Sequence, residues 1–211
     1  RSVAMFFSFD GIDGVGKTTQ MDLFCQWLRQ RGADIVTCRD PGSTPLGEKI
    51  RAILLHSDGD TPIGRRAEML LYMAARAQLV DDVLRPALAA EKTVVSDRFL
   101  LANIVYQGHA GGLDLESIRR VGAVAVDGVY PDAVFLLDMS PAAAAGRLRR
   151  TLDRMERQGG DYRERLRAGF LAEAARPENH VHLIDADRPA ETVQAEIRSI
   201  AAELLVGDSS M

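Results

Sequence analysis

The chain has 211 residues, 46% apolar and 27% charged, with 26 lysines and arginines against 30 aspartates and glutamates. That apolar share excludes a disordered chain, and the length suits one α/β domain, residues 1–211, with a full core. The net charge of −4 excludes a global basic footprint for nucleic acid, so any cationic chemistry must be local.

The first strand is expected over Met5–Asp10 and runs into Gly11-Ile12-Asp13-Gly14-Val15-Gly16-Lys17-Thr18, followed by Thr19. This fits G-x-x-x-x-G-K-[ST]. A helical pattern over Thr18–Gln30 follows, with Met21, Phe24, Cys25 and Leu28 on one face. Strand, glycine loop and helix in that order mark a phosphate-binding loop. Its backbone N–H groups and the helix N-terminus suit phosphate oxygens. Lys17 suits the β- and γ-phosphates, and the Thr18 hydroxyl suits Mg²⁺. A nucleoside triphosphate is therefore the expected ligand.

A second strand is expected over Asp34–Arg39. It leads into the turn Arg39-Asp40-Pro41-Gly42-Ser43-Thr44, with Arg39 aimed at the crevice. Helices are expected over Pro45–Leu55 and Arg65–Leu88. On the second, Tyr72 and Arg76 share a face at i, i+4, where an aromatic ring and a guanidinium can hold a base; core packing with a surface arginine is the competing account. A third strand, Thr93–Asp97, ends in Asp97-Arg98. After a phosphate loop, Asp97 becomes the natural acid on the metal side and Arg98 a phosphate ligand.

Further helices are expected over Leu113–Val126, Pro141–Arg150, Tyr162–Ala174 and Pro189–Leu205, with strands over Ala133–Asp138 and Val181–Asp185. The alternation gives a five-stranded parallel sheet with helices on both faces, its carboxyl ends carrying the site. Between Arg147 and Arg167 stand eight arginines interrupted by Gly159-Gly160. A solvated basic helix pair would look like this. So would a lid over about 147–162 that lays Arg147, Arg150 and Arg154 on phosphates, as phosphoryl transfer requires. Cys25 and Cys38 sit in helix-like and strand-like segments and suit a reducing compartment. No apolar run approaches a membrane span and no leader precedes the first strand, so the cytoplasm is the expected location, without a membrane partner.

In these pieces the chain resembles the thymidylate kinase family, over nearly its whole length. The resemblance rests on Asp10 to Gln20, Arg39-Asp40-Pro41-Gly42-Ser43-Thr44 continued through Arg51, Leu70-Leu71-Tyr72 with Arg76-Ala77-Gln78, Asp97-Arg98-Phe99, Tyr106-Gln107-Gly108, Leu152-Asp153-Arg154-Met155-Glu156 and Ile184-Asp185-Ala186. It implies phosphoryl transfer from ATP, with Mg²⁺, to dTMP, and a homodimer. It places Asp13 near the acceptor 3′-hydroxyl and Arg39 and Arg98 on the acceptor phosphate. Tyr72 takes the place of the ring that stacks on thymine, and Arg76, Asn103 and Gln107 serve the base. Tyr106 crowds the sugar 2′ position, and Arg147, Arg150 and Arg154 supply cations that the phosphate loop lacks. The chain departs from the family at Asp10 and Asp40, where glutamate is usual. It departs again at Ala75, which removes an orienting partner for Arg76. A kinase for another small acceptor and a nucleotide-dependent switch are the rival readings. The switch lacks its guanine signature, Asn/Thr-Lys-x-Asp.

Overall fold

A computed structural model describes residues 4–56, 62–147 and 160–207. Its frame is a five-stranded sheet of β1 (Phe6–Asp10), β2 (Ile35–Arg39), β3 (Thr93–Asp97), β4 (Ala133–Asp138) and β5 (Val181–Asp185). The strands lie in the order β2-β3-β1-β4-β5 and every neighbouring pair is parallel. β1 is central, with Phe7 opposite Val95 on one side and Ala133 on the other. The chain winds first to one side of β1 and then to the other. The crevice at such a reversal is where open α/β sheets hold ligands, and the loop after β1 opens there.

The alternation of side chains along β1 divides the core. Phe7 and Phe9 meet Phe24 of α1 (Lys17–Gln30) and Phe135 of β4 at ring distances of 5.2 to 5.8 Å. Phe6 points to the other face and meets Phe99 edge-on at 5.0 Å. Around that pair gather Met69 and Met73 of α3 (Arg65–Leu79) and Ile118 and Val126 of α6 (Leu115–Val126). α3 packs between α6 and α2 (Pro45–His56), while α9 (Ala190–Gly207) packs against α1. Helices thus cover both faces.

The expected long helix over Arg65–Leu88 forms, with a flaw. A π turn, Val80–Leu84, separates α3 from α4 (Arg85–Ala89), which carries Pro86 in its first turn. The proline has no N–H to give, and its ring would strike the carbonyl of residue 82 in a regular helix. A wider turn avoids the collision. A helix that sequence periodicity does not signal runs from α5 (Leu100–Asn103) into a second π turn, Ile104–His109. Leu100, Leu101, Ile104 and Val105 are all buried, so the segment is apolar around much of its circumference and shows no amphipathic period. α7 is described over Pro141–Arg147, and α8 starts at Gly160 and ends at Ala174. The expected extension of α7 to Arg150 and the arginine-rich segment with Arg150 and Arg154 lie outside the described residues.

Candidate functional site

At the carboxyl end of β1 the backbone turns through Gly11 with φ 135°. A Cβ there would stand 2.4 Å from the Leu137 carbonyl oxygen of β4, so only glycine lets the loop start this close to the sheet. The loop wraps around the Lys17 ammonium, which donates to the carbonyls of Gly11 and Ile12 at 3.0 Å each. Gly11 and Ile12 thus face Lys17, whereas Asp13 through Thr19 line a cleft of about 700 Å³. Thr18 and Thr19 are exposed at its floor. Burial, and after it the nearby Arg98, pushes Lys17 below its ordinary value.

Arg98 follows β3 in a left-handed backbone conformation, φ 68°, which a non-glycine residue adopts at a cost. Its N–H donates to Phe9 at 2.9 Å and its carbonyl accepts from the Ser96 hydroxyl at 2.6 Å. So held, the guanidinium crosses from the phosphate loop to the opposite wall. It donates to Gly11 O at 3.1 Å, Asp13 Oδ1 at 2.7 Å and the Tyr106 hydroxyl at 3.0 Å. Tyr106 in turn donates to Asp13 Oδ2 at 3.2 Å. Burial alone would raise Asp13; the Arg98 and Lys17 cations overcome it and hold this carboxyl far below the usual range. Asp10, fully buried, goes the other way: desolvation outweighs Arg98 and Lys17 and pushes it up to about 7.

The far wall carries a second polar chain. Arg76, 1% exposed, donates through Nε to Asp40 at 2.6 Å and through Nη1 to Asn103 Oδ1 at 3.0 Å and the Met73 sulfur. Nη2 donates to Phe99 O at 3.3 Å. Asn103 passes its amide N–H to Gln107 Oε1 at 2.7 Å, and Gln107 passes its own to Glu68 at 3.0 Å. Asp40 and Asn103 therefore orient Arg76 in the absence of a polar residue at 75, and the shortened side chain of Asp40 reaches it. Tyr72 lies along the same cleft, half-buried against Ile50, Leu54 and Ala75. Arg39 stands at the rim, half exposed and paired with Glu48 at 2.8 Å.

One oxygen of Asp97, at the end of β3, is buried without a hydrogen-bond partner among the described residues. Asp97 and Thr18 both line the cleft.

A family model for thymidylate kinase matches residues 9–197. This chain belongs to the thymidylate kinase family. Thymidylate kinase of Rhodopirellula baltica is 43% identical over 193 residues, 92% of this chain and 78% of the relative. That of Bifidobacterium longum strain DJO10A is 44% identical over 204 residues, 95% and 98% of the two chains. The crystal structure of thymidylate kinase from Ehrlichia chaffeensis superposes with a TM-score of 0.77 at 29% identity, covering 94% of this chain and 99% of that one. The five-stranded parallel sheet is the fold of a thymidylate kinase.

The cleft of this thymidylate kinase family member brings Asp13, Lys17, Arg39, Tyr72, Arg76, Asp97, Arg98, Asn103, Tyr106, Gln107 and Arg147 together. Arg147 reaches Ala186 O and Asp187 Oδ1 at 3.3 Å each, at the end of β5. Two further arginines line the cleft without having been singled out for a site role. Arg51, on α2, donates to Pro41 O at 2.9 Å. Arg188, in the turn after β5, donates to Asp185 O at 2.9 Å and pairs with Glu196. The available signal for Arg188 was its place just past a strand's carboxyl end.

Proposed function

We propose that the cleft performs the thymidylate kinase reaction, transfer of the γ-phosphoryl group of ATP to dTMP, with its two ends divided between the substrates. The dTMP phosphate oxygen attacks the γ-phosphorus in line, the bond to ADP breaks, and no covalent enzyme intermediate forms. The chain supplies position and charge. The phosphate loop and Lys17 hold the ATP phosphates, and Arg147, at the end of the cleft that Arg188 also lines, adds a cation to them. Arg39 and Arg98 hold the acceptor phosphate, Asp13 lies near the sugar 3′-hydroxyl, and Tyr106 borders the 2′ position. Tyr72, Arg76, Asn103 and Gln107 take the thymine. The observation that carries this reading is Arg98, bonded at once to the phosphate loop and to Tyr106 on the opposite wall, where two phosphate groups would meet.

Thr18 and the unpartnered oxygen of Asp97 fit the hydration shell of Mg²⁺, a hard cation that keeps waters and takes few protein ligands beside substrate phosphates. When bound, the ion neutralises charge on the transferring phosphates. Arg150 and Arg154 are assigned to the same charge by their sequence pattern. Arg154→Ala should lower kcat more than it raises the KM for dTMP, the signature of a contact made mainly in the transition state.

A homodimer is proposed through α2, α3 and α6. These pack side by side and carry exposed Ile53, Leu70 and Val124. No helix of the described residues is long and apolar enough to cross a membrane. Cys25 and Cys38 are free and buried, which supports a cytoplasmic location. The test of function is ADP release across a panel of nucleoside monophosphates and deoxynucleosides. Turnover should be fastest with dTMP and absent with thymidine. Comparable turnover of thymidine would leave Arg39 and Arg98 without an acceptor phosphate and defeat the reading.

A further inference from the structure

Glu173, near the end of α8, is 2% exposed and does not line the cleft, yet three other elements converge on its carboxylate. His109 Nε2, the last residue of the second π turn, lies 2.8 Å from Oε1. Arg119 of α6 donates to both oxygens at 2.7 and 2.8 Å. Asn179, in the 3₁₀ turn Pro177–Asn179, donates to Oε2 at 2.9 Å. Burial alone would raise this carboxyl; the bonds from Arg119, His109 and Asn179 hold it below its ordinary value, so the knot is built for the anion.

The other face of the π turn belongs to the cleft, because it carries Tyr106 and Gln107. A π turn has poorer hydrogen-bond geometry than an α-helix and takes its phase from its surroundings. Here α8 supplies them. Gly169 lets the two backbones approach until a Cβ would stand 2.6 Å from His109 Cβ. Phe170 meets the Tyr106 ring edge-on at 6.2 Å. The Tyr162 hydroxyl lies 3.5 Å from the Tyr106 carbonyl. Apolar packing resists separation of the two elements but only weakly resists rotation of one along the other. The charged knot at His109 fixes that rotation, three residues past Tyr106.

We propose that Glu173 is a positioning residue for acceptor selection: through His109 it sets the phase of the π turn and thereby the place of Tyr106 against the sugar. This rests on the reading that Tyr106 borders the 2′ position. Glu173→Gln keeps the shape and removes the charge. It should raise the KM for dTMP, leave that for ATP unchanged, and lower the preference for dTMP over its ribo counterpart by about fivefold, since small misplacements near reacting groups are costly. His109→Ala, which leaves the Glu173–Arg119 pair intact, should shift the preference the same way and decides the matter should Glu173→Gln fail to fold. Tyr106→Ala is the control. If it leaves the preference unchanged, the reading of Tyr106 fails. If it relaxes the preference while the folded Glu173 and His109 variants keep the wild-type ratio, Glu173 is only structural and the proposal is overturned.

Discussion

Lys17 and Arg98 line the cleft with Asp13 and Asp97, and Asp10 lies buried within electrostatic reach, so the charge of each residue depends on the others. Lys17→Met should abolish phosphoryl transfer, at a cost of about 3–4 kcal/mol in the barrier, as for loss of one preorganised electrostatic contact. It should not unfold the protein, because it removes a desolvated cation that sits beside another. ADP release and circular dichroism check the two halves. Asp10 gives a second test. It takes up its proton near pH 7 in the fold but near its ordinary 3.8 in the unfolded chain. Between those values the folded state binds the extra proton, so this residue makes stability fall as pH rises. Asp10→Asn removes that slope. Relative to wild type the variant should gain stability in urea melts between about pH 5 and pH 8. An unchanged difference between the two proteins would show that Asp10 titrates outside this window. His182, whose burial lowers its pKa, drives stability the opposite way but is common to both proteins and cancels in the comparison.

Among the elements, the second π turn and α8 act as a pair. Gly169→Ala would push a methyl group into His109 and Val105, which lie 2.6 and 3.1 Å from the added carbon. Overpacking of this kind costs about 1–3 kcal/mol, and a lowered urea midpoint should show it. These elements also mark where the sequence was readable. The phosphate loop was plain because its chemistry is contiguous: Gly11 to Thr18 carry the turn, the cation and the hydroxyl in eight successive residues. All five strands were plain from short apolar runs closed by a charged residue. The segment around Tyr106 was not, because a helix buried on most sides has no period and a π turn has no composition of its own. Arg51 shows the same limit at one residue: it closes a stretch shared with the family, but a lone arginine on an amphipathic helix carries no role until the fold turns it to the cleft. The links from Asp40 to Arg76 and from Arg76 to Asn103 span 36 and 27 residues, and only the fold closes them.

For the whole molecule, the sheet order turns the site into a seam. β1 divides the strands that carry Arg39 and Arg98 from those that carry the β5 turn and Arg188. On the proposed division of the cleft, acceptor and donor arginines are thus mounted on opposite sides of one central strand. The outer helices give the test at this scale. If α2, α3 and α6 form the dimer face, Val124→Glu should yield a monomer in sedimentation velocity, because a charge would be desolvated in an apolar contact. A variant that sediments with wild type would move the interface elsewhere.

The polar chain behind the acceptor pocket has a sense of direction. Arg76 is its source: Nε–H points to Asp40 on one side, and on the other the protons point from Arg76 to Asn103, then Gln107, then Glu68, so carboxylates close both ends. Neither amide can turn over without setting an N–H against the Arg76 guanidinium, which has only protons to offer, or a carbonyl against Glu68. The wall therefore cannot adapt to its guest. A base that brings an oxygen to Arg76 completes the chain, whereas one that brings an amine there strands two donors face to face in a dry place. On the proposed reading that Arg76 serves the base, rejection of cytosine-like bases thus follows from a guanidinium that has only protons to offer and that Asp40 and Asn103 hold in place.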